Sequence, residues 1–187
     1  MIKNQVNSEF AEKIASNLLE LFVDVSPSKF PCVDEPQKAA DDIIRKAALK
    51  AGSISGSLAL VPGPFGILTI LPDLLAIWRI QAQLVADIAA IFGQKAKIRK
   101  EQMIYCLFKH SASQAVRDIA VRSGKQILIK KVTPAVCKNV LKKIGVNVSQ
   151  KIAGKAVSRY IPVVGALCVG GYAYYDTLNV AKNAIQL

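Results

Sequence analysis

Histidine is almost missing from this chain: His110 is the only one in 187 residues. Metal sites built on two histidines and histidine relays are therefore excluded. The four cysteines, Cys32, Cys106, Cys137 and Cys168, are far apart and form no CxxC, so they offer neither a zinc site nor a disulfide framework. No Gly-x-Ser-x-Gly, phosphate-binding glycine loop or strand-borne GxGxxG is present. His110-Ser111, with Cys106 one turn earlier, has no partner in the sequence that would orient it as a nucleophilic pair. Asp41 and Asp42 are adjacent, and neighbours on a helix point about 100° apart, too divergent to share a metal. We expect a protein without catalysis, metal or cofactor.

Other shortages bear on compartment and class. The N-terminus, MIKNQVNSEFAEK, lacks the apolar stretch of a cleaved secretory signal. With the scattered cysteines, that points to a reducing cytoplasm. Strand patterning is confined to Ile127-Leu128-Ile129, too short to support a sheet. Charge is absent from Ala51 to Pro72, 22 residues interrupted by Gly52, Gly56, Gly63, Gly66 and Pro62-Gly63-Pro64. Proline removes a helical hydrogen bond and clashes with the preceding turn, so this is no straight membrane span.

What is present is helical periodicity. Phe10, Ile14, Leu18, Leu21 and Phe22 define a first amphipathic helix. Pro27, Pro31 and Pro36 mark a connector, with Asp34 and Glu35 placed to cap a second helix striped by Ala40, Ile43, Ile44 and Ala47. A third runs from about Pro72 to Phe92 and stops at Gly93. Ile104, Leu107, Phe108, Ala112, Ala115 and Ile119 suggest a fourth, ending near Gly124. Thr133-Pro134 reads as a cap and first-turn proline within an interrupted run from Ile127 to Leu141, and a short helix follows from Val148 to Tyr160. The last segment, from Ile161, is apolar and glycine-rich like the central one. The expectation is an all-α bundle of about seven or eight helices in one domain, residues 1–187. Residues 1–35 form its first helix and connector, residues 36–187 its core, and the glycine-rich segments two packed core hairpins.

The order of these motifs resembles a known family. The glycine-rich apolar helix, the Pro62-Gly63-Pro64 turn, Leu71-Pro72-Asp73-Leu74 and a helix ending Ala89-Ala90-Ile91-Phe92-Gly93 are similar to the core signature of EcsC-type proteins. Ile161-Pro162-Val163-Val164-Gly165-Ala166 followed by Gly170-Gly171-Tyr172 is similar to that family's C-terminal signature. Phe92 stands where the family pattern has tyrosine. The resemblance implies a helical, bacterial, membrane-associated protein with no settled catalytic activity.

Charge supplies the candidate sites. Residues 94–159 hold 16 basic and 2 acidic residues, net +14, whereas residues 1–44 hold 4 basic and 8 acidic, net −4. Lys95, Lys97, Arg99, Lys100, Arg117, Arg122, Lys125, Lys130, Lys131, Lys138, Lys142 and Lys143 are the candidate binding residues for an anionic membrane surface or an acidic protein. Nucleic acid would use the same charge, but the tract has few aromatics for base stacking and no recognition motif. In the third helix, Arg79, Gln83 and Asp87 at i, i+4 and i+8 form a polar stripe, with Asp73 on another face near the N-terminus. They are candidates for a polar seam inside the bundle. Tyr172, Tyr174 and Tyr175 beside Asp176 fit either a bundle lining or an interface. The functional expectation is a cytoplasmic binding protein, peripheral at the inner membrane through its basic face. The alternative is a soluble interaction or regulatory module for an acidic protein. A further expectation is that acidic Glu9, Glu12, Glu20, Asp24, Asp34 and Glu35 fold back over the basic face or meet another partner.

Overall fold

The computed structural model describes residues 2–60, 70–94, 98–116, 119–123, 126–155 and 162–187. Among them are α1 (Ile2–Val23), α2 (Pro36–Leu58), α3 (Ile70–Ile91), α4 (Lys100–Phe108), the single turn α5 (Ser113–Val116), β1 (Ala120–Ser123), β2 (Gln126–Ile129), α6 (Pro134–Lys155) and α7 (Pro162–Ile185). Among the described residues, six helices of at least nine residues make up the fold. The turn Val61–Gly66 lies outside the described residues.

The apolar spacing decides which faces meet. Ile14, Leu18, Leu21 and Phe22 of α1 enter one cluster with Trp78, Ala82 and Val85 of α3, Met103–Phe108 of α4, Val140, Leu141 and Ile144 of α6, and Val180 of α7. At about 25 cal/mol per Å² of apolar area, such side chains supply about 1.5–3 kcal/mol each when fully buried. Trp78 and Phe108 meet edge to face, centroids 5.5 Å apart. Pro36 occupies the first turn of α2, where its missing N–H costs nothing, while Glu35 makes no side-chain cap. Gly93, at φ +79°, ends α3 with Gly93 N–H donating to Ala90 O (3.0 Å) and Gln94 N–H to Ala89 O (2.8 Å). That is a left-handed glycine cap of the Schellman type.

Two contacts are made backbone to backbone. A Cβ on Gly145 of α6 would fall 2.6 Å from Ala11 O, so α1 lies directly on α6. The chain therefore passes through Gly145 as continuous helix, and the separate short helix expected from Val148 is the second half of α6. Likewise a Cβ on Gly170 of α7 would meet Gly52 O of α2 at 2.8 Å. The glycine-bearing helices do meet, in antiparallel register, but at the edge of the bundle. Leu49, Leu60, Leu167, Tyr172 and Tyr175 around this contact are exposed.

The segment from Ala112 to Ile129 corrects the sequence reading. Helix continues only to Phe108, resumes for one turn as α5, and gives way to an antiparallel hairpin pairing Ala120 with Ile129 and Ser123 with Gln126. Two strands only two residues apart form the shortest kind of hairpin; the second contains the strand candidate Ile127-Leu128-Ile129, while the first falls where the apolar pattern predicts the end of a helix. The hairpin is held by Lys130 N–H to Ile119 O (2.9 Å) and by Arg99 Nη2 to Ile129 O (3.0 Å). α6 then starts as expected, with Thr133 Oγ1 accepting from Val136 N–H at 3.4 Å.

Candidate functional site

The fold divides the basic tract. Glu101 Oε1, in the first turn of α4, accepts from Val132 N–H at 3.2 Å. This bond, with that of Arg99 to Ile129, draws the exit of β2 against the start of α4. Lys100, Lys130 and Lys131 are exposed there. Lys138, also exposed, follows Cys137, whose thiol feels both Glu101 and Lys100. Burial, with Glu101 adding to it, pushes that thiol up. Lys100, Lys130 and Lys131 therefore share one corner beside the N-terminus of α6, and Lys138 follows on α6 itself, where its charge also reaches Glu12 of α1. Arg99 is committed to the hairpin, and Lys142 is bound to Glu12 of α1 at 2.7 Å. The acidic N-terminal helix does fold onto α6, at the cost of one basic candidate. Lys143 is exposed on the same helix. Lys95, Lys97, Arg117 and Lys125, and the side chain of Arg122, lie outside the described residues.

The stripe on α3 faces outward and forms no seam inside the bundle. Arg79 is exposed, and Gln83 donates to Asp87 Oδ1 (3.0 Å) and to Ser26 O (3.3 Å), tying α3 to the connector after α1. Helical spacing put these residues on one side, but which side is buried depends on the partner helices. The buried polar residues of α3 are Asp73 and Gln81, 3% and 0% exposed. Ser55 Oγ of α2 donates to Asp73 Oδ2 at 3.0 Å. Gln81 Nε2 donates to Asp176 Oδ2 (2.7 Å) and Thr177 Oγ1 (3.3 Å) of α7, while its Oε1 is buried without a hydrogen bond.

Asp176 also brings in the one histidine: His110 Nε2 lies 2.6 Å from Asp176 Oδ1. Sequence reasoning saw nothing to orient His110, because its partner is 66 residues away. Cys106 does not complete a nucleophilic pair. Burial pushes its thiol up to about 12, the opposite of an activated thiolate.

Between α3, α4, α6 and α7 lies a cavity of about 320 Å³. Ile77, Trp78, Phe108 and Ile144 form its apolar body, while Asp73, Ser55, Ser111, Asn147 and Asp176 contribute polar atoms. Cys168 and Tyr172, both exposed, stand at its rim.

Helix order, the glycine crossing of α2 and α7 and the glycine cap after α3 set the residues of the two sequence signatures into one fold. The protein matches the EcsC protein family over residues 7–187. The chain belongs to the EcsC protein family. No curated protein and no solved structure matches it. Within this EcsC protein, Asp73 of the core signature is the buried acceptor of Ser55, and Gly170 of the C-terminal signature is where α7 lies against the backbone of α2. α3 is long and apolar enough to cross a membrane by length and composition, yet half of its most apolar window is buried against neighbouring helices.

Proposed function

We propose that this EcsC protein is a non-catalytic binding protein that attaches peripherally to an anionic membrane surface, on the cytoplasmic side of the inner membrane. The observation that carries the reading is the corner formed by Lys100, Lys130 and Lys131, continued along α6 by Lys138. All four are exposed, and none makes a salt bridge among the described residues. Each lysine near an anionic bilayer contributes about 1 kcal/mol, so four together change partitioning by roughly three orders of magnitude. The N-terminal dipole of α6 beside them favours phosphate in the same place. The exposed leucines and tyrosines of α2 and α7 form an apolar edge suited to the interfacial layer of the same bilayer.

Flotation of the purified protein with vesicles tests this. Binding to phosphatidylglycerol vesicles that is absent from phosphatidylcholine vesicles and reversed by high salt is the expected result. Replacing the four lysines together with glutamine should abolish it. No flotation at all would refute the membrane reading and favour an acidic protein partner. Equal, salt-resistant binding to both vesicles would replace the basic corner with insertion of the apolar edge.

A further inference from the structure

The carboxylates in the cavity wall are held by the protein itself. Asp73 Oδ2 accepts from Ser55 Oγ, and the two oxygens of Asp176 are engaged separately by His110 Nε2 (2.6 Å) and Gln81 Nε2 (2.7 Å). Buried polar groups that already have partners gain little from a further one. What the cavity offers a ligand is therefore its apolar body, from Ile77, Trp78, Leu107, Phe108 and Ile144. Its volume, about 320 Å³, is roughly twice that of an engineered apolar cavity that holds benzene, which is room for about ten to twelve carbon atoms.

The mouth opens onto the apolar edge. Cys168 and Tyr172 line the cavity and are both exposed, and on α7 they stand beside exposed Leu167, Gly171 and Tyr175. Residues 166–175 carry no charge. An open mouth on an apolar surface fits a chain that emerges there, not a compact ring compound that has to be wholly enclosed. From these features we infer that the cavity binds one unbranched alkyl or acyl chain of about ten to twelve carbons, inserted tail first, with its head left outside Cys168 and Tyr172. Because the head stays in water, its charge does not decide binding, and each methylene taken into the cavity raises affinity about fourfold. Such a chain is carried by a free single-chain amphiphile or by a bilayer lipid. The inference does not use the lysine corner, and vesicle-free titration tests it whether or not the protein floats with membranes.

Trp78 is the only tryptophan and lines the cavity, so its fluorescence reports occupancy. Alkyl maltosides from hexyl to tetradecyl, each below its micelle concentration, supply one uncharged head too bulky for the cavity and a chain of variable length. Affinity should rise about fourfold per methylene from hexyl to decyl, and by less than about twofold per methylene beyond dodecyl. Saturating decyl maltoside should slow alkylation of Cys168 roughly fivefold and leave Cys32, exposed beside Gly93 at the other end of α3, unchanged. Phosphatidylglycerol vesicles brominated in their acyl chains separate the two sources. Quenching of Trp78 by them assigns the chain to a bilayer lipid, whereas maltoside binding with no such quenching assigns it to a free amphiphile. Affinity that keeps rising fourfold per methylene to tetradecyl is surface partitioning and would overturn the inference. A fall in affinity beyond decyl, equal protection of Cys32 and Cys168, or no response of Trp78 to any maltoside would overturn it too.

Discussion

Gly170 and Gly171 are neighbours on α7, yet alanine at the two positions should act in opposite directions. In an exposed helix, Gly→Ala is worth about 1 kcal/mol of stability, from lower backbone entropy in the unfolded chain. At Gly171 nothing stands within 4 Å of the added Cβ, so the full gain should appear. At Gly170 the Cβ would lie 2.8 Å from Gly52 O and 3.3 Å from Gly56 Cα. Both are backbone atoms, so no side chain can rotate away, and α2 and α7 must separate by several tenths of an ångström. Overpacking of this kind costs about 1–3 kcal/mol and occasionally more, which exceeds the helix gain. The expected net is a loss of up to about 2 kcal/mol for Gly170→Ala. For a domain of this size 1 kcal/mol moves the melting temperature by about 2–4 °C. Thermal melts at fixed protein concentration should therefore show Gly171→Ala above wild type and Gly170→Ala below it. If Gly170→Ala melts as high as Gly171→Ala, the two helices do not approach through glycine and the described crossing is wrong.

Other outcomes follow from single contacts. Gly145→Ala should destabilise by at least as much as Gly170→Ala, because its Cβ would lie 2.6 Å from Ala11 O, and urea unfolding would detect it. Ser55→Ala takes a donor from the buried Asp73 carboxylate and should cost about 1.5–3 kcal/mol in the same assay; a neutral result would mean the bond is not made. Thiol titration of the native protein at pH 8 should count Cys32 and Cys168 as fast and Cys106 and Cys137 as slow, since the first two are exposed and burial pushes both others up. The hydrogen bond and charge of Lys142 hold the Glu12 carboxyl below its usual value. A lowered folded value means the contribution is present above the unfolded pKa and is lost as pH falls through the folded one. The difference in urea midpoint between wild type and Lys142→Gln should accordingly shrink below about pH 4.

The sequence by itself determined the local terms. Periodicity put Ile14, Leu18, Leu21 and Phe22 on one buried face of α1, because the 3.6-residue repeat is set within a single helix. Gly93 was legible as a stop and Pro36 and Pro134 as first-turn residues, since cap and proline chemistry acts over a few residues. The order of the glycine-rich motifs led to the EcsC family for the same reason: they are contiguous stretches of chain.

Tertiary structure decided everything that depends on distant partners. Spacing placed Arg79, Gln83 and Asp87 on one side of α3 but could not say that this side faces outward, because burial belongs to the neighbours and not to the helix. Of the short hairpin at 120–129, the pattern predicts the end of a helix over the first strand and only the isolated strand candidate Ile127-Leu128-Ile129 in the second, because its stability comes from pairing and from Arg99 and Ile119, not from its own pattern. Lys100, Lys130 and Lys131 were visible as charge, but it is the Glu101–Val132 and Arg99–Ile129 bonds that gather them. The pairing of His110 with Asp176 and of Ser55 with Asp73, and the cavity they border, bring together residues 66 and 18 positions apart. No local pattern encodes such contacts, because they exist only once α2, α3, α4 and α7 have packed.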